Sequence, residues 1–435
     1  MRTTRCSASR TSSRGQRATC ITSPRTSRSG LPAAGRCSTS ATAGRRSRRK
    51  PTPIPVTWNT RKEAIRMKRI LTWLKHEVVL TVALIAALAS FLLVPPGMHT
   101  LAGIDTTTLL MLFSLMTIVA GFRHMGAFDK LAAAVTSRIR TLRGLAFVLT
   151  CGCFLLAMVA TNDVALITLV PFTLLLMRGA EMKHLTLTVV LETIAANLGS
   201  MVTPIGNPQN LYLYSSQKLA ALDFPRLTWP YAALAFAMLA GCCLLIPRES
   251  VRAGNGEASA LPGRKLALYG GLTVLALLAL AKVIPDWALA AAVLLLTLLL
   301  DRPVLRQVDY TLLATFVCFF VFVASVKAYA PVSAWLEGLM AGSPLLTSLL
   351  ASQVISNVPA CLLLSPFTGD ASALMLGVNL GGLGTLVASL ASLISFRLYG
   401  QAEGAARGRF MLVFTAMNVL FLAALLMLAW ALGAV

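Results

Sequence analysis

Residues 197–211 read NLGSMVTPIGNPQNL and lie inside a long apolar run, residues 185–218. The run is long enough to cross a hydrocarbon core of about 30 Å. Its middle nevertheless carries two prolines, two glycines and three asparagines. Backbone without helical hydrogen bonds is tolerated at membrane depth only where protein buries it or where it lines a watery cavity. The stretch therefore predicts a broken membrane helix with a binding site at the break.

The same pattern recurs later in the chain. NLGGLGTLVASLASL at 379–393 shares the Asn-Leu-Gly, a Thr and a Leu in register, and it lies in a second apolar run, 372–398. A second pair of motifs precedes these two, because TNDVALITLVPFT at 161–173 aligns with SNVPACLLLSPFT at 356–368. Two motifs that recur in the same order indicate an internal repeat of the kind found in many secondary transporters.

The composition predicts an all-α polytopic membrane protein. Of the 435 residues, 56% are hydrophobic and only 13% are charged, values that soluble domains rarely reach. The polar clusters ATND and ISNVP interrupt two further apolar segments, which we interpret as re-entrant hairpins at 145–176 and 343–367. Each is preceded by an amphipathic piece that predicts an interfacial helix, FRHMGAFDKLAAAVTSRIR and AYAPVSAWLEGLM. Nine full crossings are predicted at 78–94, 106–121, 185–218, 229–246, 266–283, 286–300, 310–325, 372–398 and 409–431.

The charges predict an orientation. With Met67 on the cytoplasmic side, 19 of the 23 Lys and Arg residues after residue 66 fall in cytoplasmic ends and loops. This asymmetry follows the positive-inside rule and predicts a multi-pass protein of the bacterial cytoplasmic (inner) membrane, with its N-terminus inside and its C-terminus outside. Five crossings separate the hairpins, so the two are expected to enter from opposite faces, as in an inverted-topology repeat.

Residues 1–66 form a basic leader that holds 16 of the 39 Lys and Arg residues and one acidic residue. This Arg-, Ser- and Thr-rich segment cannot bury enough apolar surface to fold. Two interpretations remain open: an over-extended gene model whose natural start is Met67, or a disordered tail or targeting segment. Without the leader the net charge is only +8, which predicts no nucleic-acid partner. The predicted domains are a first repeat at 67–246, a cytoplasmic linker at 247–265 and a second repeat at 266–435.

Apart from Asp286 at the first position of its span, Asp163 and Glu192 are the only carboxylates inside the predicted spans and hairpins, with no Lys or Arg at comparable depth. A buried charge in a membrane costs at least ~2.5 kcal/mol, so each is a candidate for function. Such a group takes up a proton or holds a cation. Asp163, at the first hairpin tip, is the first candidate for H+ or Na+ coupling. Glu192 has two open interpretations, proton coupling or a structural brace of the broken helix.

Asn162 and Asn357 each open the second helix of a predicted hairpin, which is an N-cap position. An amide both donates and accepts, so it can serve a cation through oxygen and a substrate through nitrogen. The preceding Thr161 and Ser356 add hydroxyl oxygens. Helix packing is the alternative explanation, and Gly377 with Gly381 also forms a GxxxG pair. Two matched breaks beside two matched tips favour a binding site.

These motifs resemble the ion transporter superfamily, which includes divalent anion:sodium symporters, citrate transporters, arsenite permeases and a class of Na+/H+ antiporters. TND and SNV stand in the positions of the hairpin motifs, and TPIGNPQN and GTLVAS in those of the unwound loops. Citrate-transporter-like permeases are the most similar branch. The resemblance implies a scaffold domain that dimerises and a transport domain that moves like an elevator. It also implies an anionic substrate between the tips and no cofactor besides the coupling ion, Na+ or H+.

The resemblance also implies site residues. The first cation site, which would hold Na+, involves Thr161, Asn162, Asp163, Gly199, Gly206 and Asn207. The second involves Ser356, Asn357, Gly381, Thr385 and Ala388. Substrate would contact Asn162, Asn357, Thr203, Pro204 and Thr385.

Three residues depart from the family pattern. Asp163 replaces the threonine of the first motif, Val358 replaces that of the second, and Leu386 stands opposite Pro204 in the repeat. An Asn-Asp tip is more similar to the arsenite-permease and antiporter branches. Because an ionised Asp163 would repel a dianion, these departures favour H+ as the coupling ion.

The sequence thus predicts a secondary active transporter for a small carboxylate or oxyanion, coupled to Na+ or H+ by elevator-like alternating access. The alternative is an arsenite-type efflux permease or a Na+/H+ antiporter with Asp163 as the exchanging group. An enzyme is not expected, because Ser356 has no His or carboxylate neighbour in the sequence. Hairpins entering from opposite faces suit alternating access better than a channel, and a primary pump would need a nucleotide-binding loop.

Overall fold

The computed structural model describes residues 77–137, 139–217, 219–250 and 261–434. These residues form eighteen α-helices and two short 3₁₀-helices, with a single isolated bridge between Thr141 and Ser250. The predicted all-α class is confirmed. The leader at 1–66 and the alternative start at Met67 lie outside the described residues, as do 251–260 of the linker.

The α-helices are numbered here in chain order. They are α1 (Val78–Ser90), α2 (Met98–Ala102), α3 (Thr106–His124), α4 (Ala127–Thr136), α5 (Leu142–Ala160), α6 (Asn162–Leu176), α7 (Met182–Ser200), α8 (Pro208–Ser216), α9 (Asp223–Cys243), α10 (Gly263–Leu280), α11 (Asp286–Leu300), α12 (Tyr310–Ala328), α13 (Ala330–Gly342), α14 (Pro344–Ile355), α15 (Asn357–Leu364), α16 (Ala371–Leu380), α17 (Leu390–Tyr399) and α18 (Arg407–Ala431). The 3₁₀-helices are Arg302–Arg306 and Ser365–Phe367.

Five of the described helices, α3, α5, α10, α12 and α18, are long and apolar enough to cross a membrane on their own. Seven of the nine predicted crossings each coincide with one helix. One boundary was wrong: α9 begins at Asp223, before the predicted start at 229. Asp223 and Pro225 lower the mean hydropathy of this first turn, so the apolar run in the sequence begins later than the helix. Both residue types nevertheless suit a first helical turn.

Both predicted hairpins are pairs of helices joined by one residue. Thr161 joins α5 to α6, and Ser356 joins α14 to α15. The two residues have almost the same unusual backbone conformation, with φ of 76° and 72° and ψ of 151° and 154°. A Cβ added to Gly152 on α5 would lie 3.6 Å from Leu169 on α6, so the two arms of the first hairpin run back along each other.

The second hairpin is preceded by a sharp bend of 119° between α13 and α14. Ser343 produces this bend, because its side chain caps α14 by accepting from the Leu346 N–H, and Pro344 occupies the first helical turn. Before the first hairpin, Gly126 turns the chain with a φ of 73° between α3 and α4. A separate helix therefore precedes each hairpin, as the amphipathic pieces predicted.

The other two predicted crossings are broken helices. Residues 201–207 separate α7 from α8, and residues 381–389 separate α16 from α17. In the first break, Asn207 caps α8 by accepting from the Asn210 N–H, with Pro208 at the first helical position. The second break has no proline and turns instead at Gly384, whose φ is 106°. The two helices thus break at aligned positions, but different residues cause the two breaks.

Three buried apolar clusters hold the helices together. The largest joins both arms of the first hairpin to α4, α7, α9, α14, α16, α17 and α18. A second joins α1, α3, α8, α12, α15 and α16, and a third joins α3, α10 and α11. Helices of the two sequence repeats therefore share cores rather than forming separate units.

An ion pair between the buried Asp301 and the one-third exposed Lys265 ties α10 to the end of α11. Asp301, only 4% exposed, lies 3.0 Å from Lys265 Nζ and accepts from the Tyr269 hydroxyl at 3.1 Å. His124 Nδ1 is 3.7 Å away. Removing one partner of such a pair leaves the other charge uncompensated.

Asp301→Ala is therefore expected to lower the free energy of unfolding by about 2 kcal/mol, since it removes the carboxylate that accepts from both Lys265 and the Tyr269 hydroxyl. Thermal unfolding in detergent measures this. The matched control is Glu403→Ala, which removes an ion pair with Arg178 whose partners are 89% and 71% exposed. The control should change stability by less than ~1 kcal/mol. Equal effects of the two substitutions would contradict a stabilising role for the pair of Asp301 and Lys265.

Candidate functional site

Each hairpin tip is docked on the broken helix of its own repeat. The Asn162 N–H donates to the Gly206 carbonyl at 3.1 Å, and the Asn357 N–H donates to the Ala388 carbonyl at 2.9 Å. The sequence alignment places Gly206 and Ala388 at the same position of the repeat. The N-terminus of α6 and that of α15 are thus held against equivalent points of the two breaks.

A second pair of hydrogen bonds fixes each loop to its hairpin. The Thr203 hydroxyl donates to the Met158 carbonyl, and the Thr385 hydroxyl donates to the Gln353 carbonyl at 3.0 Å. Both donors and both acceptors are aligned pairs. The sequence repeat therefore extends to individual hydrogen bonds, and the two threonines predicted to contact substrate are donors to the hairpin backbone.

Buried polar side chains connect the two breaks to each other. Asn207 Nδ2 donates to Asn379 Oδ1 at 2.9 Å, and the aligned Ser389 hydroxyl donates to Asn197 Oδ1 at 2.9 Å. Each bond runs from the loop of one repeat to the helix of the other. Asn379 Nδ2 also donates to Asn210 Oδ1 at 2.7 Å. A symmetric amide network therefore locks the loops at 201–207 and 381–389 together.

The two tip asparagines converge on this network. Asn162 Nδ2 lies 3.4 Å from Asn197 Oδ1. A Cβ built on Gly382 would lie 3.0 Å from Asn357 Nδ2 and 3.9 Å from Asn197 Cγ. Asn162 and Asn357, predicted from separate motifs, thus flank the same buried amide. Asn197 and Asn379 were missed as site residues, although both open the shared Asn-Leu-Gly triplet.

Gly199 and Gly206 allow close backbone approaches at the first break. A Cβ on Gly199 would overlap the Phe154 carbonyl oxygen of α5, and one on Gly206 would overlap that of Ser200. Pro204, between them, is buried. These predicted site residues therefore shape the break through their backbone, and no larger side chain fits at either glycine.

Asp163 lies in the first turn of α6 and is partly exposed. Within the described residues its carboxylate takes part in no salt bridge and no side-chain hydrogen bond. The Asp163 N–H donates to Asn162 Oδ1 at 3.0 Å, as the Val358 N–H does to Asn357 Oδ1. A helix N-terminus favours a negative charge. The carboxylate is thus placed beside a tip asparagine and is free to receive a proton or a cation.

Glu192 is fully buried on α7, where the Thr173 hydroxyl of α6 donates to Oε1. Oε2 has no hydrogen-bond partner among the described residues. A buried charge with one bare oxygen is costly, so the geometry suits a neutral carboxyl. Glu192 therefore ties the first hairpin to the first broken helix.

Several carbonyls of the two broken segments accept hydrogen bonds from side-chain amides. Asn210 Nδ2 lies 3.1 Å from the Met201 carbonyl and 3.0 Å from that of Thr203. Gln353 Nε2 lies 2.9 Å from both the Gly381 and the Leu383 carbonyl oxygens. Sequence reasoning missed these two amides as donors, because the sequence does not show which carbonyls each of them reaches.

A cavity of about 380 Å³ lies beside α8 and α12. Its lining includes Asp105, Tyr212, Ser215, Phe320 and Lys327. Tyr212 is also hydrogen-bonded to Ser365, just after the second hairpin, at 2.7 Å. The cavity thus borders the second half of the first broken helix but includes none of the predicted site residues.

The described helices form an apolar bundle, in which two helical hairpins, each turning at one residue, dock on two broken helices. This architecture defines a polytopic membrane transporter. Comparison with known families agrees, since residues 70–375 match the family described as citrate transporter. The chain belongs to this citrate transporter family, which confirms the resemblance seen in the motifs.

Individual relatives also match about two thirds or more of the chain. The chain is 34% identical to inner membrane protein YbiR of Escherichia coli over 304 residues, 68% of this chain and 81% of the relative. It is 30% identical to an uncharacterized transporter of Methanocaldococcus jannaschii over 316 residues, 71% of this chain and 85% of the relative. A shorter match, 31% over 123 residues, is to a silicon efflux transporter of Oryza sativa and covers 28% of this chain and 25% of the relative.

Proposed function

We propose that the protein is a secondary active transporter that moves a small carboxylate or oxyanion across the cytoplasmic (inner) membrane, coupled to H+ or Na+ through Asp163. One observation carries the proposal: the tips of both hairpins, with Asn162 and Asn357, meet at one buried amide network. The family membership and the name of the Escherichia coli relative support a transporter of the inner membrane.

The substrate is proposed to bind between the tips, against the amides of Asn162 and Asn357, with Thr203, Pro204 and Thr385 at the border. Two helix N-termini, those of α6 and α15, add favourable partial charges for an anion. An ionised Asp163 would repel an anion bound at the same place. A proton or a sodium ion that neutralises Asp163 therefore raises the affinity for the anion, which is the physical basis of coupling.

The movement is proposed to be elevator-like, in a homodimer. The bundle of α3, α10 and α11 has an apolar core of its own and is the proposed scaffold. The hairpins and broken helices contribute to the two larger cores and are the proposed moving part. The scaffold holds no tip residue, so it can stay fixed while the site is carried across.

An efflux permease or a Na+/H+ antiporter is the second candidate function. Asp163 favours it, because a partly exposed carboxylate at the tip can itself exchange cations. The similarity to a silicon efflux transporter also favours export of an oxygen-rich solute.

Reconstituted proteoliposomes distinguish these functions. Uptake of citrate, dicarboxylates, arsenite and silicic acid is measured under imposed H+ or Na+ gradients, each alone. Accumulation of an anion against its gradient supports the proposed symport. Cation exchange without any anion, or movement of solute against the direction of the ion, supports the second candidate.

Glu192 is proposed to brace the site rather than to carry the coupling proton, because it is fully buried. Glu192→Gln keeps an acceptor for the Thr173 hydroxyl, so we expect transport within about threefold of wild type, which corresponds to less than 1 kcal/mol. Its dependence on the ion gradient should be unchanged. Glu192→Gln that transports but has lost its dependence on the H+ gradient would contradict the brace and assign coupling to Glu192.

A further inference from the structure

The side chain of Gln353 occupies the centre of the second break. It lies on α14, three residues before the tip residue Ser356. Its Nε2 lies 2.9 Å from the Gly381 carbonyl, 2.9 Å from that of Leu383 and 3.3 Å from that of Leu349. Three carbonyl oxygens, one from α14 and two from the loop at 381–389, therefore converge on a single nitrogen.

The orientation of this amide is determined by its partners. The Thr385 N–H can only donate, and it lies 2.9 Å from Gln353 Oε1. The converging carbonyls can only accept, so the nitrogen must face them. A point surrounded by carbonyl oxygens is the environment that a hard cation needs. In this protein the side-chain nitrogen of Gln353 occupies that point.

The surrounding loop is shaped to this side chain. Gly384 has a φ of 106°, and a Cβ at this position would overlap Gln353 Oε1. At the aligned positions the first repeat has Met158 in place of Gln353 and Val202 in place of Gly384. Methionine has no N–H to donate. At the first break the Met201 carbonyl, aligned with that of Leu383, accepts from Asn210 Nδ2 of α8 at 3.1 Å, so an amide donor that comes from the hairpin is specific to the second repeat.

The tip carboxylate, in contrast to the hairpin amide, belongs to the first repeat. The first tip carries Asp163, and the aligned residue of the second tip is Val358. Val358 is buried and apolar, so the second tip offers a cation no negative charge. One repeat has a carboxylate and no hairpin amide, whereas the other has a hairpin amide and no carboxylate.

We infer that the Gln353 side chain takes the place of a coupling cation in the second repeat, so that the protein binds no cation beneath its second hairpin. The inference rests on the proposed function only in taking ion coupling to act through the first repeat. It makes Gln353 a residue that determines how many cations the transporter uses.

The test compares sodium binding to detergent-purified wild type and Gln353→Ala, by radioactive sodium binding and by thermal unfolding over a Na+ titration in choline chloride. Wild type is expected to bind at most one Na+ per chain. Gln353→Ala frees the converging carbonyls, so it should bind one Na+ more, and its melting temperature should rise more steeply with Na+. Gln353→Glu, which puts a carboxylate oxygen in place of the nitrogen, should show a still stronger Na+ dependence.

Gln217→Ala is the matched control, because Gln217 Nε2 donates to one carbonyl, that of Ser365, at 2.9 Å. It should leave the Na+ response of wild type unchanged. Two sodium ions bound per wild-type chain would overturn the inference, whether or not the variants fold. A folded Gln353→Ala with the Na+ response of wild type would also overturn it. Neither result bears on Asp163, whose role is tested separately by transport.

Discussion

Asp163→Asn is expected to abolish ion-driven accumulation of substrate. Asparagine has nearly the same shape but cannot ionise, so it can neither take up a proton nor hold a cation by charge. The loss should be on the order of 100-fold, near the upper end of typical coupling between two ligands. Proteoliposomes with an imposed H+ or Na+ gradient measure it directly. Exchange of substrate without a net gradient should survive, because Asn162 and Asn357 are untouched.

Asp129→Asn is the matched control, since Asp129 is an exposed carboxylate on α4. It should transport like wild type. Asp163→Asn with full accumulation and an unchanged ion dependence would remove Asp163 from the coupling step and leave Glu192 as the carboxylate to test.

Gly199→Ala is expected to have the second large effect. The new Cβ would overlap the Phe154 carbonyl, which is backbone of α5 and cannot rotate away. Forcing α5 and α7 apart should cost about 3 kcal/mol, the upper end for overpacking. It also draws the first hairpin tip away from the break, so Asn162 loses its bond to the Gly206 carbonyl. Thermal unfolding and transport should both be impaired.

Gly241→Ala on α9 provides the comparison, because a Cβ there meets no atom within 4 Å. It should leave both stability and transport unchanged. If Gly199→Ala behaved like Gly241→Ala, α5 and α7 would not be in the close contact described above.

Much of the fold follows from residues that can be read in the sequence. The Asn-Pro pair at 207–208 predicts a helix start, and it is the start of α8. The alignment of 161–173 with 356–368 predicts equivalent tips, and Thr161 and Ser356 have nearly equal backbone angles. Local patterns succeed here because capping, proline and glycine act over a few residues.

The contacts between the repeats could not be predicted in the same way. The bond from Asn207 to Asn379 joins residues far apart in the chain, and neither residue reveals its partner. The amides of Asn210 and Gln353 likewise reach the loop carbonyls from separate helices. The sequence does not reveal these contacts, because it does not show which donors the fold brings to the carbonyls.

The most direct test of ion-coupled anion transport is citrate uptake by proteoliposomes containing the full chain, with an inward H+ gradient, an inward Na+ gradient or neither. We predict accumulation above the external concentration with one ion gradient, collapse of that accumulation when an ionophore dissipates the gradient, and none with Asp163→Asn. If citrate proves not to be the substrate, the same measurement is made with the dicarboxylates and oxyanions. Equal accumulation of any of these solutes with and without an ion gradient, or accumulation of none, would contradict ion-coupled anion transport.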